Sequence, residues 1–190
     1  MTTATSPSVL IVPGLRDHVP EHWQTLLQEQ LQDVGMTVAC VPRRTHDKLS
    51  LGLWVDAIEQ SLAQMTAPVI LAAHSGGVMM VVHWAQSSLR PIHGALLAAP
   101  ADLERPLPPG YPTEDDLAQN GWLPIPRKRL PFPSIVAAST NDPLADHDRV
   151  LELADCWGSR VVELGEVGHL NPASGFGPWP QAEPLLRELL

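Results

Sequence analysis

Six short apolar runs, separated by longer segments whose apolar residues recur every three or four positions, dominate this sequence. The runs are Val9–Val12, Thr37–Val41, Val69–Ala73, Ala95–Ala99, Ile135–Ser139 and Arg160–Leu164. Nearly all are continuous rather than alternating, the pattern of strands buried on both faces. Between the first two, Glu21–Val34 carries Trp23, Leu26, Leu27, Leu31 and Val34 on one helical stripe, and Gly35 supplies a stop. Helical spacing returns at Leu53, Trp54, Ile58 and Leu62, then in Val78–Ser88, His147–Trp157 and Pro180–Leu190. Neighbouring parallel strands need a long crossover, and a helix is the usual one. The alternation therefore predicts an α/β fold, a six-stranded, mainly parallel sheet sandwiched between helices in three layers.

One stretch breaks the rhythm. Pro100–Pro133 shows no clear period and holds nine of the chain's 20 prolines. Irregular excursions of this length inside a compact domain are usually functional or disordered. The 44% apolar content over 190 residues is enough for one packed core, so residues 1–190 read as a single domain with only 1–7 expected to be disordered. Twelve Lys and Arg against 21 Asp and Glu give a formal charge of −9, the wrong sign for a surface that neutralises phosphates, so no nucleic-acid partner is expected. No apolar run reaches the roughly 18 residues of a membrane span, and Met1–Ser8 lacks a basic segment followed by an apolar one. A cytoplasmic protein is expected. Cys40 and Cys156 lie far apart with no C-x-x-C spacing and read as reduced, half-buried residues.

The sharpest local feature is Val69-Ile-Leu-Ala-Ala-His-Ser75-Gly-Gly77, a buried strand that runs through a serine into a helix. It approximates the G-x-S-x-G elbow, in which small residues two before and two after the serine allow a turn that exposes Oγ above the sheet. Ala73 stands where that pattern has glycine. A hydroxyl becomes a useful nucleophile when an imidazole takes its proton, and the imidazole needs a carboxylate to orient it. Ile135–Ser139 runs on to Asp142-Pro143, and Val161–Leu164 runs on to the Gly-flanked His169. All three residues fall just past strand C-termini, where open parallel sheets bind ligands, and their order is the one expected of this architecture. Asp146 and Asp148 are alternative acids, although their position suits the first turn of the next helix.

An oxyanion site would take one N–H from Gly76 and a second from the loop after the first strand, Val12-Pro-Gly14-Leu15-Arg16. Gly14 permits the turn; Leu15 is the favoured donor and Arg16 the alternative. Gly14, Arg16, Trp122 in the Pro-rich excursion and Trp179 are candidate substrate-binding residues. His18-Val-Pro-Glu21-His22 matches a zinc-peptidase spacing, but that motif needs one continuous helix and Pro20 belongs in a helix's first turn, so no metal or other cofactor is expected. His22 and Trp23 anchor the first helix or border the pocket. No role is read for His74, His83 or His93.

The chain resembles the small serine hydrolases of the retinoblastoma-binding protein 9 family, within the α/β-hydrolase superfamily. The likeness rests on Pro13-Gly14 with His22-Trp23, His74-Ser75-Gly76-Gly77, Ser139-Thr-Asn-Asp142-Pro143, Trp157-Gly158-Ser159, and Gly168-His169-Leu-Asn171 continuing through Ser174-Gly175-Phe-Gly177-Pro-Trp179-Pro180. It implies a compact hydrolase with strand order 2-1-3-4-5-6 and no large cap, and puts nucleophile, acid and base on Ser75, Asp142 and His169. The expected substrate is a small-molecule ester or amide. The rival reading is an interaction module of the same fold with little turnover. Exposed tryptophans near the site would support a homodimer.

Overall fold

Residues 7–16, 19–44, 46–66 and 68–190 are described by the computed structural model, and in them each apolar run forms a strand. The strands are Ser8–Val12 (β1), Thr37–Cys40 (β2), Val69–His74 (β3), Gly94–Ala98 (β4), Ser134–Ser139 (β5) and Arg160–Gly165 (β6). They make one sheet of order β2-β1-β3-β4-β5-β6, and every pairing is parallel. The helices are Trp23–Asp33 (α1), Leu51–Ala63 (α2), Gly76–Ser87 (α3), Glu114–Gln119 (α4), His147–Trp157 (α5) and Ala182–Arg187 (α6). Residues 1–6 and His18, about which the sequence prompted expectations, lie outside the described residues.

Successive side chains on a strand point to opposite faces, and the central strands put apolar groups on both. Leu10, Leu71, Leu97 and Val136 pack with α2, α3 and α5 on one side, while Val9, Ile70, Leu96 and Ile135 pack with α1 and α6 on the other. The four central strands are buried almost throughout, whereas β2 and β6, at the edges, are half-covered. Among the described residues no helix is long and apolar enough to cross a membrane.

Two boundaries differ from the periodic reading. α1 starts at Trp23 because the His22 side chain caps it, its Nδ1 accepting the Gln24 N–H at 3.2 Å. Glu21 and His22 thus precede the helix. α3 begins at Gly76, directly behind Ser75 and earlier than the apolar stripe suggests.

The Pro-rich excursion is more ordered than its composition implies. It contains α4, whose start is a reciprocal capping box: Thr113 accepts the Asp116 N–H and Asp116 accepts the Thr113 N–H. Trp122, Ile125, Leu130 and Phe132 enter the core on the α3 side. Glu104 fastens the two ends of the segment, accepting from the Ile125 N–H at 2.9 Å and from the guanidinium groups of Arg127 and Arg149. The bond from Arg127 is the main reason its carboxyl titrates below the usual range.

The tightest backbone contact lies where α3 crosses the end of β1. A Cβ on Gly77 would stand 2.4 Å from the Val12 carbonyl oxygen and 2.5 Å from that of Pro13. Neither backbone atom can rotate away as a side chain would. Gly77→Ala is expected to lower stability by about 2–3 kcal/mol, read as a lower urea midpoint at unchanged slope; equal midpoints would remove this contact from the reasons the fold holds.

Candidate active site

Ser75 sits between β3 and α3 with φ 57° and ψ −126°, a conformation that L-residues seldom adopt. The strand before it is held by pairing to β1 and β4, the Ser75 N–H donates to the Ala98 carbonyl at 3.1 Å, and the helix after it starts at once. The surroundings therefore over-determine the strained residue. Ala73, the departure from the glycine pattern, is wholly buried and does not prevent the turn.

His169 stands in the loop after β6 and Asp142 in the loop after β5. The His169 Nε2 is 2.7 Å from the Ser75 Oγ, and its Nδ1 is 2.7 Å from the Asp142 Oδ2. A carboxylate only accepts, so Nδ1 carries the proton and Nε2 is left to accept from the hydroxyl. His169 and Asp142 are buried, while Ser75 is half-buried. The second carboxylate oxygen of Asp142 accepts the Leu144 N–H at 2.8 Å, which fixes the acid's plane. Asp146 instead pairs with Arg105 at 2.6 Å and flanks α5, and Asp148 lies in that helix's first turn. Of the three acids considered from sequence, only Asp142 meets the imidazole.

A cavity of 360 Å³ opens over Ser75 and takes in Gly14, Leu15, Arg16 and Gly76. The Gly14–Leu15 backbone lies against the elbow: a Cβ on Gly14 would be 3.6 Å from the Ser75 Oγ, and one on Gly76 would be 3.5 Å from the Leu15 nitrogen. Gly14 thus serves by close approach rather than by a left-handed turn. Among the described residues neither the Leu15 nor the Gly76 N–H is committed to a protein acceptor. Two free donors beside a serine hydroxyl, at the N-terminus of α3, can stabilise a developing oxyanion.

Two substrate-binding expectations fail. Trp122 is fully buried in the core and donates from Nε1 to the Leu49 carbonyl at 2.6 Å, so it lines no part of the cavity. The wall comes from earlier in the excursion, from Leu103, Leu107 and Tyr111. Trp179 is likewise absent from the cavity and packs edge-on against Trp23, ring centroids 4.9 Å apart. The other five tryptophans are buried, and Trp179 is partly exposed.

Several positioning residues escaped the sequence reading. His74 is buried, and its Nε2 donates to the His169 carbonyl at 2.9 Å. Its ring stands between those of His22 and His169, at 4.8 and 4.9 Å. Asn141 accepts the Gly168 N–H at 2.6 Å, tying the acid's loop to the base's loop, and Ser174 accepts the His169 N–H at 3.0 Å. Gln24 donates to the carbonyls of Val12 and Ala72 at 3.1 and 3.0 Å, clamping β1 to β3 below the elbow. Strand alternation does place His74 on the α1 side, but nothing local to the sequence shows which carbonyl it meets.

The chain matches the serine hydrolase family over residues 9–188. It belongs to that family. A YdeN-like hydrolase from Pectobacterium atrosepticum is 32% identical to this serine hydrolase, with a TM-score of 0.80 over 98% of this chain and 92% of that one. Two more distant structures share the fold. The ydeN gene product of B. subtilis is 19% identical at a TM-score of 0.72, covering 97% of this chain and 98% of its own. Est1E from Butyrivibrio proteoclasticus, solved with ferulic acid bound, is 13% identical at 0.70, covering 97% and 86%. The sheet order expected of an α/β hydrolase is thus observed, fully rather than mainly parallel. No match was found among curated protein sequences.

Burial holds the His74 imidazole neutral, its pKa well below the usual histidine value, and the neighbouring His169 and His22 add to the effect. A histidine depressed in the folded state adds stability that is complete above the unfolded pKa of about 6.5 and is lost as pH falls below it, because the unfolded chain gains the proton first. The loss from His74 should approach 1.4 kcal/mol per pH unit, on the order of one proton's linkage. Urea unfolding of wild type and His74→Gln between pH 8 and 5 tests this: the variant should show the shallower acid slope, and parallel slopes would assign the effect elsewhere.

Proposed function

We propose that this serine hydrolase cleaves a small carboxylic ester, or an amide, through an acyl-enzyme on Ser75, His169 and Asp142. The observation that carries the reading is the unbroken hydrogen-bond chain from the Ser75 Oγ through both nitrogens of His169 to Asp142, each link 2.7 Å. In this scheme Ser75 Oγ bonds to the carbonyl carbon as its proton passes to His169 Nε2. The carbonyl π electrons move onto oxygen, which the Leu15 and Gly76 N–H groups receive. Collapse of the tetrahedral adduct breaks the bond to the leaving oxygen or nitrogen, and His169 returns the proton to it. Water then repeats the sequence in reverse, giving up a proton to His169, releasing the acid and restoring the serine. Asp142 keeps the imidazole in the required tautomer and offsets its charge when protonated.

The motif blocks that resemble the retinoblastoma-binding protein 9 family supply Ser75, Gly76, Asp142 and His169 of this scheme, which supports the reading. The unpaired thiols of Cys40 and Cys156 suit a reducing compartment, and burial pushes the Cys40 thiol up to about 11; the proposed setting is the cytoplasm.

A fluorophosphonate probe separates the enzyme from an interaction module without turnover. Wild type should label and Ser75→Ala should not; an unlabelled wild type, or equal labelling of both, would sink the proposal. Asp142→Asn should slow ester turnover on the order of 10⁴-fold by misplacing the imidazole proton, and an unchanged rate would exclude Asp142 as the orienting acid.

A further inference from the structure

Among the described residues that line the cavity over Ser75, one carries a fixed charge. The cavity walls are largely apolar, with Leu103, Leu107 and Leu144 among them, no Asp or Glu belongs to the described lining, and Arg16 is the lone Arg or Lys there. Arg16 is an exposed residue, yet its guanidinium is held on two sides. Its Cζ lies 3.8 Å from the centroid of the Tyr111 ring, and its Nη2 donates to the Gly110 carbonyl at 3.1 Å. Stacking occupies the face of the planar cation and leaves its edge, where the N–H groups point, for a ligand. One of five N–H groups is used by Gly110, so a pair remains for bidentate contact with a carboxylate.

More basic side chains stand near this residue. Behind the Pro13–Arg16 loop a small recess is formed by Arg43, Arg44, Lys48 and Trp54, and among the described residues the buried Arg44 Nε has no acceptor. Four of the chain's 12 Lys and Arg therefore gather around one loop of a protein whose net charge is −9. Clusters of one sign beside a low-dielectric cleft attract the opposite charge.

We propose that Arg16 is a specificity residue for a carboxylate, and that the substrates of this hydrolase are esters or amides bearing one such group beyond the scissile carbonyl. The inference rests on the acyl-enzyme reading above. A single guanidinium beside apolar walls matches one negative charge and leaves the second charge of a phosphate dianion without a partner. A volume of 360 Å³, that of a sphere about 9 Å across, suits a short substrate whose ends reach both Ser75 and Arg16.

The test compares matched pairs hydrolysed by the full chain. In one arm the charge is on the acyl side, 4-nitrophenyl hemisuccinate against 4-nitrophenyl butyrate. In the other it is on the leaving group, 4-butyryloxybenzoate against 4-butyryloxybenzamide. Wild type should favour the anionic member of at least one pair by about tenfold in kcat/KM, chiefly through KM, and added salt should shrink the preference. Arg16→Gln should bring that ratio to about one and Arg16→Lys should restore part of it. Because the readout is a ratio within each variant, a general loss of activity cancels. Neutral esters favoured or equal in both arms, or a preference that Arg16→Gln leaves intact, overturns the assignment. Fluorophosphonate labelling of the same samples separates the failures: a labelled wild type without charge preference overturns the role of Arg16 alone, whereas an unlabelled one overturns the acyl-enzyme reading and this inference with it.

Discussion

The contact of Gly77 with the carbonyls of Val12 and Pro13 is the constraint on which the site depends. The chain leaves β1 toward β2 on one side and returns to β3 on the other, so the loops after β1 and β3 diverge and a crevice opens above them. In the proposed reaction, the loop after β1 must lie within hydrogen-bond reach of the carbonyl that Ser75 would attack. A glycine with no room for a methyl group lets α3 press against the end of β1, and Gln24 braces the same junction by donating to Val12 and Ala72. The Leu15 and Gly76 nitrogens consequently face one small volume.

A second set of contacts holds the imidazole. Parallel sheets bring the ends of β3, β5 and β6 to one edge, but while Ser75 follows β3 directly, two residues separate β5 from Asp142 and three separate β6 from His169. His74 anchors the His169 carbonyl, Asn141 joins the two loops and Ser174 holds the His169 amide. These bonds convert a strand-end address into a hydrogen-bond geometry. The bond from His74 lies in a buried region, where a charged anchor would be costly to desolvate; the neutrality that burial imposes on His74 is part of how it serves.

The Pro-rich excursion shows how composition misleads when it is read alone. Its prolines do not leave it irregular, because Glu104 cross-links its ends and Trp122 and Ile125 seat it in the core. Only its first third reaches the cavity. Leu103, Leu107 and Tyr111 give the apolar wall, and Tyr111 together with Gly110 sets the attitude of Arg16.

Much of this protein was determined by local pattern. Strands buried on both faces must be apolar throughout, helices must carry a stripe, and a serine between a strand and a helix needs small neighbours, so the sheet, its helices and the residues Ser75, Asp142 and His169 could be read directly. What local pattern could not decide were contacts between segments distant in the chain. Trp122 looks like a pocket residue until Leu49, 73 positions away, is found to accept its N–H. His74 looks idle until the His169 carbonyl, 95 positions on, is found against it. A periodicity records which face of an element is buried. The partner it meets there depends on how whole elements cross, and only the packed tertiary structure settles that.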